Sequence, residues 1–184
     1  PVWRAERPAK GRYRQFYQCD ADTVGNAGMF ADAEIIALIN DVLHTLGFSN
    51  FSIKINHRQL LAGLGQYAGV EGERASVLYR SIDKLGKIGA EGVRAELLAG
   101  GIEPASADRL LELLSMQGES GELIADMQKR LADYPEAMHG LAELQELATY
   151  IGEYGVPASS YEIDFSMVRG LSYYTGPIYE TVVE

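Results

Sequence analysis

Val168-Arg169-Gly170-Leu171-Ser172-Tyr173-Tyr174-Thr175-Gly176-Pro177-Ile178-Tyr179-Glu180, near the end of a 184-residue chain, sets the reading of the rest. Ahead of it, Tyr161, Ile163, Phe165 and Met167 alternate with Glu162, Asp164 and Ser166, the period-two pattern of a strand with one buried face. One further step of that period puts Arg169 on the apolar face. A guanidinium keeps its proton inside a protein, so burying it unpaired is very costly. The position therefore calls for an anion, either a carboxylate of the protein or a ligand phosphate. Two tyrosines, Gly-Pro and a second β-rich run from Ile178 to Val183 follow. They complete a strand, tight turn and strand with an arginine and two phenols at one end.

Working outward, Val2 to Ala5 reads as a strand end, and Arg7-Pro8-Ala9-Lys10-Gly11 as a loop broken by Pro and Gly. From Arg12 a second strand is expected to about Thr23, with Gln18, Asp20 and Asp22 on one face and Tyr17, Cys19 and Ala21 on the other. The two would form a hairpin presenting Arg4 and Gln18 from adjacent strands. Asp32 to Leu46 is the clearest helix, with Ile35, Leu38, Ile39, Val42, Leu43 and Leu46 at three- and four-residue intervals and Gly47 to stop it. Phe48 to Ile55 then alternates as a strand. Helical periodicity takes over for nearly a hundred residues, in segments near 57–68, 73–87, 90–99, 104–116, 120–132 and 136–154. The joints are Gly69-Val70-Glu71-Gly72, Gly100-Gly101, Gly118 and Tyr134-Pro135, and no fixed repeat links the helices. The fold class is α+β, divided as residues 1–56 and 155–184 of one sheet-bearing domain and an all-helical insert over 57–154.

The chain is 47% apolar, enough for one or two cores, and its formal charge is −10. That charge excludes a general nucleic-acid binder. It is unevenly spread: Arg4, Arg7, Lys10, Arg12 and Arg14 against Glu6 give +4 in residues 1–14, leaving −14 on the remainder. A cationic segment on an acidic body implies a local anion site. Cys19 is the single cysteine, which excludes a disulfide framework and points to a reducing compartment. No apolar run reaches the length of a membrane span. The opening Pro-Val-Trp-Arg reads as mid-domain, with no signal peptide ahead of it.

The arginine-containing stretch resembles the histidine-specific signature of class II histidyl-tRNA synthetases, Arg-Gly-Leu-Asp-Tyr-Tyr-(Thr)-Gly, departing from it at Ser172, where the family usually has Asp. At the other end, Arg4-Ala5-Glu6-Arg7-Pro8 through Gly11-Arg12-Tyr13-Arg14-Gln15-Phe16-Tyr17-Gln18-Cys19-Asp20 resembles the class II motif 2 in its histidine-enzyme form. The helical run between them is similar to the family's insertion domain, which approaches the tRNA acceptor stem, and Tyr79-Arg80-Ser81-Ile82-Asp83-Lys84-Leu85-Gly86-Lys87 looks most like the eukaryotic-type subgroup.

The resemblance implies part of a class II antiparallel sheet with a packed helix, interrupted by the insertion domain. It implies activation of histidine by ATP with Mg2+ and transfer to tRNA(His), in a homodimeric, cytoplasmic parent with no membrane association. Arg4 and Arg169 match the two catalytic arginines that grip the α-phosphate and the histidine carboxylate. Asp22 matches the acidic residue at the imidazole, Tyr174 the tyrosine at its other nitrogen, Gln18 the residue near the α-amino group, and Tyr173 the same wall. Glu6 and Arg12 match residues that touch ATP. Ser172 replaces an Asp that lies behind the substrate contacts. Family motif 1, the upstream histidine loop, motif 3 and the anticodon-binding domain have no counterpart here. The chain thus reads as a central piece, inactive alone.

Other candidates are weaker. Gly63-Leu64-Gly65-Gln66-Tyr67-Ala68-Gly69 has its third glycine one residue too far for a dinucleotide loop and sits in a helical pattern. His44, His57 and His139 lack partners at zinc-ligand spacing, so no metal site is expected and each reads as a packing or surface residue. Cys19 reads as a buried inert thiol. Asp126, Glu143 and Glu146 read as solvated helix faces. Two rival functions remain. One is a non-catalytic paralogue, such as the regulatory subunit of ATP phosphoribosyltransferase or a tRNA-sensing pseudo-synthetase domain. The other is a helical interaction module with a β cap. The joint presence of Arg4, Gln18, Asp22, Arg169 and Tyr174 favours the enzyme.

Overall fold

A computed structural model describes residues 1–70, 73–116, 118–169 and 174–183, with the backbone alone at 73 and 74. At the N-terminus, β1 (Val2–Trp3) and β2 (Gln15–Phe16) pair antiparallel, Val2 opposite Phe16, and the Arg4 N–H donates to the Arg14 carbonyl at 2.8 Å. Gly11 turns the tip at φ +77°, a left-handed conformation that other residues adopt only with strain. The strand expected to reach Thr23 stops at Phe16. Residues 17–24 find no ladder partner among the described residues, and Tyr17 is 82% exposed. Cys19 is exposed as well, not buried, because the strand that would have given it a covered face does not extend to it.

The helix α1 (Met29–Thr45) begins three residues earlier than the pattern indicates, where the Asn26 side chain accepts from the Gly28 N–H and turns the chain. It ends at Gly47, φ +89°, with the Phe48 N–H closing on the Leu43 carbonyl. Phe48 belongs to that turn, so the following strand, β3, runs Phe51–His57. Its alternation is that of the sequence: Ile53 and Ile55 are fully buried. β3 is the centre of a three-stranded sheet. On one side β4 (Tyr161–Ile163) runs parallel to it, and on the other β5 (Pro177–Val183) runs antiparallel, so that Ile55 faces Ile163 and Tyr179.

The runs before and after the signature are therefore not a hairpin; β3 lies between them. The first run leaves the ladder after Ile163 because Asp164 turns its carboxylate back onto the Ser166 N–H and hydroxyl. The buried Asn56 side chain then takes up the chain, donating to the Phe165 and Met167 carbonyls at 3.1 and 2.9 Å. Phe165 and Met167 stay buried, so the apolar period survives without a strand.

A parallel pair needs a crossover, and its described elements here are helices: α2 (Arg58–Tyr67), α3 (Glu73–Ile82), α4 (Leu85–Ala99), α5 (Pro104–Leu114), α6 (Ser120–Arg130) and α7 (Pro135–Glu153). Gly89, at φ +70°, kinks α4 near the expected joint. The α7 stripe Leu141, Leu144, Leu147 and Ile151 is fully buried and packs on α1, α2 and α6, continuous with Ile36, Ile53, Leu60 and Leu64. No helix of the described residues is long and apolar enough to cross a membrane.

Where α7 crosses α2 the backbones nearly touch. A Cβ at Gly63 would sit 2.3 Å from the Ala137 Cβ, and one at Gly140 would sit 2.7 Å from His57 Nδ1. A Gly63→Ala substitution gains up to about 1 kcal/mol of helix propensity and loses more to overpacking, about 1–3 kcal/mol. Chemical denaturation is expected to show a net loss, and a stabilised variant would mean the two helices separate freely.

Candidate functional site

The residue that joins sheet to helices is His57. It closes β3 and caps α2: its Nδ1 accepts from the Gln59 N–H at 3.1 Å. Its Nε2 lies 2.7 Å from Oε2 of Glu143 on α7. An acceptor at Nδ1 and a carboxylate at Nε2 are both satisfied by the neutral ring protonated at Nε2. The imidazolium would set an Nδ1–H against the Gln59 N–H. Complete burial of the ring agrees and pushes its pKa below the ordinary value near 6.5, against the opposing pull of Glu143. His139, exposed on the next turn of α7, reaches the same Glu143 oxygen at 3.6 Å. Glu143 is thus no solvated helix residue, as its position on the polar side of α7 suggested. A helix pattern cannot show that a histidine from another element lies under it.

Beside this pair, a cavity of about 440 Å³ is lined by Asp32, Gln59, Glu143, Tyr174, Thr175 and Gly176 among others. Asp32 has its pKa raised, chiefly by burial and then by the charge of Glu143. Burial, with Asp32 and Tyr174 adding to it, pushes the Tyr179 phenol up to about 12. The Gln59 side-chain oxygen is buried with no hydrogen-bond partner among the described residues.

Arg169 finds the anion its position requires within the protein. Its guanidinium pairs with Glu180 at 3.2 Å and lies 5.9 Å from the centre of the Tyr174 ring. Its side chain is one-third exposed, so it stands at the edge of the apolar face. It also lines a cavity of about 560 Å³ with Arg58, Tyr79, Arg80, Asp83 and Val168. Tyr173, like Ser172, falls outside the described residues.

The remaining sequence candidates lie on and after the N-terminal hairpin. Arg4 stacks on Phe16, 5.0 Å from the ring centre. Glu6 and Arg12 pair with each other at 2.7 Å, and Arg14 Nε donates to the Glu6 carbonyl at 3.2 Å. Gln18 donates to Asp20, and both are exposed, as is Asp22. The structure thus brings together Arg169 and Tyr174 on one side, and Arg4, Glu6 and Arg12 on the other. The cavity lined by Trp3, Arg4, Ala5 and Arg14 shares no residue with those that Arg169 and Tyr174 line. Arg58 and Asp32 sit in ordinary helical patterns that mark no site, and Tyr79 and Arg80 belong to a stretch whose sequence indicates a subgroup and no site role.

The sequence model of the family described as histidyl-tRNA synthetase matches residues 1–184. The chain belongs to the histidyl-tRNA synthetase family. It is 43% identical over 182 residues to the histidine–tRNA ligase of Gloeobacter violaceus, covering 99% of this chain and 39% of that protein. Against the histidine–tRNA ligase of Aeropyrum pernix it is 41% identical, with 100% and 41% covered. The chain therefore spans about two fifths of the length of the curated relatives it matches. The histidyl-tRNA synthetase of Nostoc sp. PCC 7120 superimposes with a TM-score of 0.81 at 28% identity, over 86% of this chain and 37% of that one. A Bacillus halodurans protein titled ATP phosphoribosyltransferase regulatory subunit/histidyl-tRNA synthetase gives 0.71 at 28%, over 86% and 40%.

The His57 pair carries a pH prediction. A histidine whose pKa is lowered by folding contributes stability that is complete above about 6.5 and lost as pH falls towards the folded value. His57→Asn keeps an acceptor for the Gln59 N–H and loses the bond to Glu143. Urea titrations are expected to show a loss of about 1–3 kcal/mol at pH 7 and a flatter stability profile between pH 7 and 5. A profile as steep as that of the unsubstituted chain would exclude His57 as the titrating group.

Proposed function

We propose that this chain is the central part of a histidine–tRNA ligase, which activates histidine with ATP and passes the histidyl group to tRNA(His). The single observation that carries the reading is a family match over every residue. In the first step a carboxylate oxygen of histidine attacks the α-phosphorus, and the bond to pyrophosphate breaks. In the second a ribose hydroxyl of the tRNA attacks the activated carbonyl, losing its proton, and AMP leaves. Both steps bring anions together, so fixed positive charge and positioning supply most of the rate. Arginine suits the task because its planar fork holds phosphate and carboxylate in two parallel bonds.

On this reading Arg4 and Arg169 hold the α-phosphate and the substrate carboxylate. Glu6 and Arg12 contact ATP, whose Mg2+ enters with it as part of the substrate. Gln18 holds the α-amino group, and Asp22 with Tyr174 and Tyr173 takes the imidazole, one ring nitrogen each. A carboxylate and a phenol left unpaired would reject leucine or phenylalanine strongly. The reading needs Arg4 and Arg169 to face one phosphorus. It also places the enzyme in the cytoplasm as a homodimer.

Histidine-dependent ATP–pyrophosphate exchange in the complete polypeptide tests this. Arg4→Ala and Arg169→Ala are each expected to lower the rate by about two orders of magnitude or more. Asp22→Ala is expected to raise the KM for histidine while sparing that for ATP. The 184-residue chain alone is expected to be silent. Exchange driven equally by other amino acids, or by none, would overturn the assignment.

A further inference from the structure

The bond between His57 and Glu143 goes beyond what α2 requires. The capping role uses Nδ1 alone, and another side-chain acceptor at the start of the helix would fill it. The second bond, at Nε2, takes a carboxylate partly out of water, its side chain 27% exposed, and ties it to a fully buried ring. A buried hydrogen-bonded pair adds little net stability over an apolar pair of the same shape. What it supplies is position, because the bond holds only within a narrow range of distance and angle. The part of the chain so positioned is the turn before β5. Pro177 lies directly opposite His57 in the β3–β5 ladder, and the Arg58 N–H donates to the Gly176 carbonyl at 3.0 Å. A Cβ at Gly176 would stand 4.0 Å from His57 Nε2, the same nitrogen that meets Glu143. Glu143 and Gly176 line one cavity with Thr175 and Tyr174. Only Thr175 separates Tyr174 from the anchored glycine.

We propose that Glu143 and His57 are positioning residues for histidine recognition, which together hold the turn at 174–176 where the Tyr174 phenol reaches the substrate's side chain. The proposal deepens the ligase reading and rests on it. The phenol assigned to the imidazole is set, on its C-terminal side, by a carboxylate of α7 acting through a histidine of β3. The substrate's chemistry makes such an anchor useful. A neutral imidazole offers one donor and one acceptor at fixed places on a rigid ring. A phenol misplaced by about 1 Å loses its bond and leaves a polar group unpaired. The nucleotide contacts assigned to Glu6 and Arg12 lie on the N-terminal hairpin and form no part of this turn. Loss of the anchor therefore acts on histidine and not on ATP.

The test is ATP–pyrophosphate exchange in the complete polypeptide, with histidine and ATP varied in turn. Glu143→Ala and His57→Asn are each expected to raise the KM for histidine about three- to tenfold, the loss of one hydrogen bond, and to spare the KM for ATP. KM does not depend on how much of the enzyme is folded, so a merely destabilised variant does not imitate this result. The double variant is expected to be no worse than either single one, since both remove the same bond. Glu143→Gln is expected to recover the KM, because its side-chain oxygen still accepts from the Nε2–H. In a Tyr174→Phe background Glu143→Ala is expected to add little. His139→Ala removes only the exposed and more distant neighbour of Glu143 and is expected to leave the KM unchanged. A KM for histidine that stays put in Glu143→Ala and His57→Asn, or that rises in step with the KM for ATP, would overturn the pair. If Glu143→Ala does not fold, His57→Asn decides alone. Absence of exchange in the unsubstituted protein would instead overturn the ligase reading. Equilibrium dialysis of histidine would then decide the pair, and equal dissociation constants in both variants, or no binding at all, would sink it.

Discussion

A single buried imidazole holds the three parts of this fold in register. His57 ends the central strand, caps the first helix of the crossover, and meets the last helix through Glu143. The neighbouring Arg58 N–H donates to the Gly176 carbonyl at 3.0 Å, so the turn that leads into β5 is tied to the same point. Gly140 lets α7 come close enough for this, since any side chain there would occupy the space of the His57 ring. A buried polar pair is retained only if every donor and acceptor in it is satisfied. The neutral ring satisfies both neighbours, which is why burial and hydrogen bonding favour one protonation state here.

The sheet follows from that junction. With β3 in the middle, both of its edges are filled by the segments that flank the signature, one parallel and one antiparallel. A parallel neighbour cannot be reached by a tight turn, so the chain needs a long excursion between β3 and β4. The six helices are that excursion. They lay their apolar stripes on one another and on α1, and return the chain through α7 to the other side of β3. Arg169 is thereby delivered next to Arg58 and Arg80, residues about 90–110 positions away in sequence.

Periodicity made the helices and the buried faces legible. The α7 stripe and the alternation of Ile163, Phe165 and Met167 are all buried, even though the last two are not in a strand. Strand pairing was not legible, because a period of two says which face is buried and nothing about which strand lies alongside. The turn at Asp164 is a local contact with Ser166, whereas the capture of residues 165 and 167 by Asn56 depends on contacts across more than a hundred residues. The same holds for Glu143. It sits on the polar side of an amphipathic helix, and the histidine that makes it structural is 86 residues away. Cys19 and Tyr17 show the converse: an alternating segment is a strand only where a neighbour supplies its ladder, and among the described residues none does so here.

The pairing of Arg169 with Glu180 bears on how such an arginine works. Both side chains are substantially exposed, at 33% and 57%, and an ion pair at that exposure is worth about 0–1 kcal/mol. A phosphate offers more charge and two parallel bonds to the guanidinium fork. On the proposed reading Glu180 is too weak a partner to compete with a bound nucleotide, yet strong enough to keep the fork near Tyr174 before one arrives. An arginine without such a placeholder would lose rotamer freedom on each binding event, about 1.5–2 kcal/mol for a long side chain. The carboxylate eleven residues downstream answers the question raised by the apolar pattern around Arg169. It satisfies the guanidinium at the edge of the sheet and leaves it exchangeable, which is what a residue serving a transient anion needs.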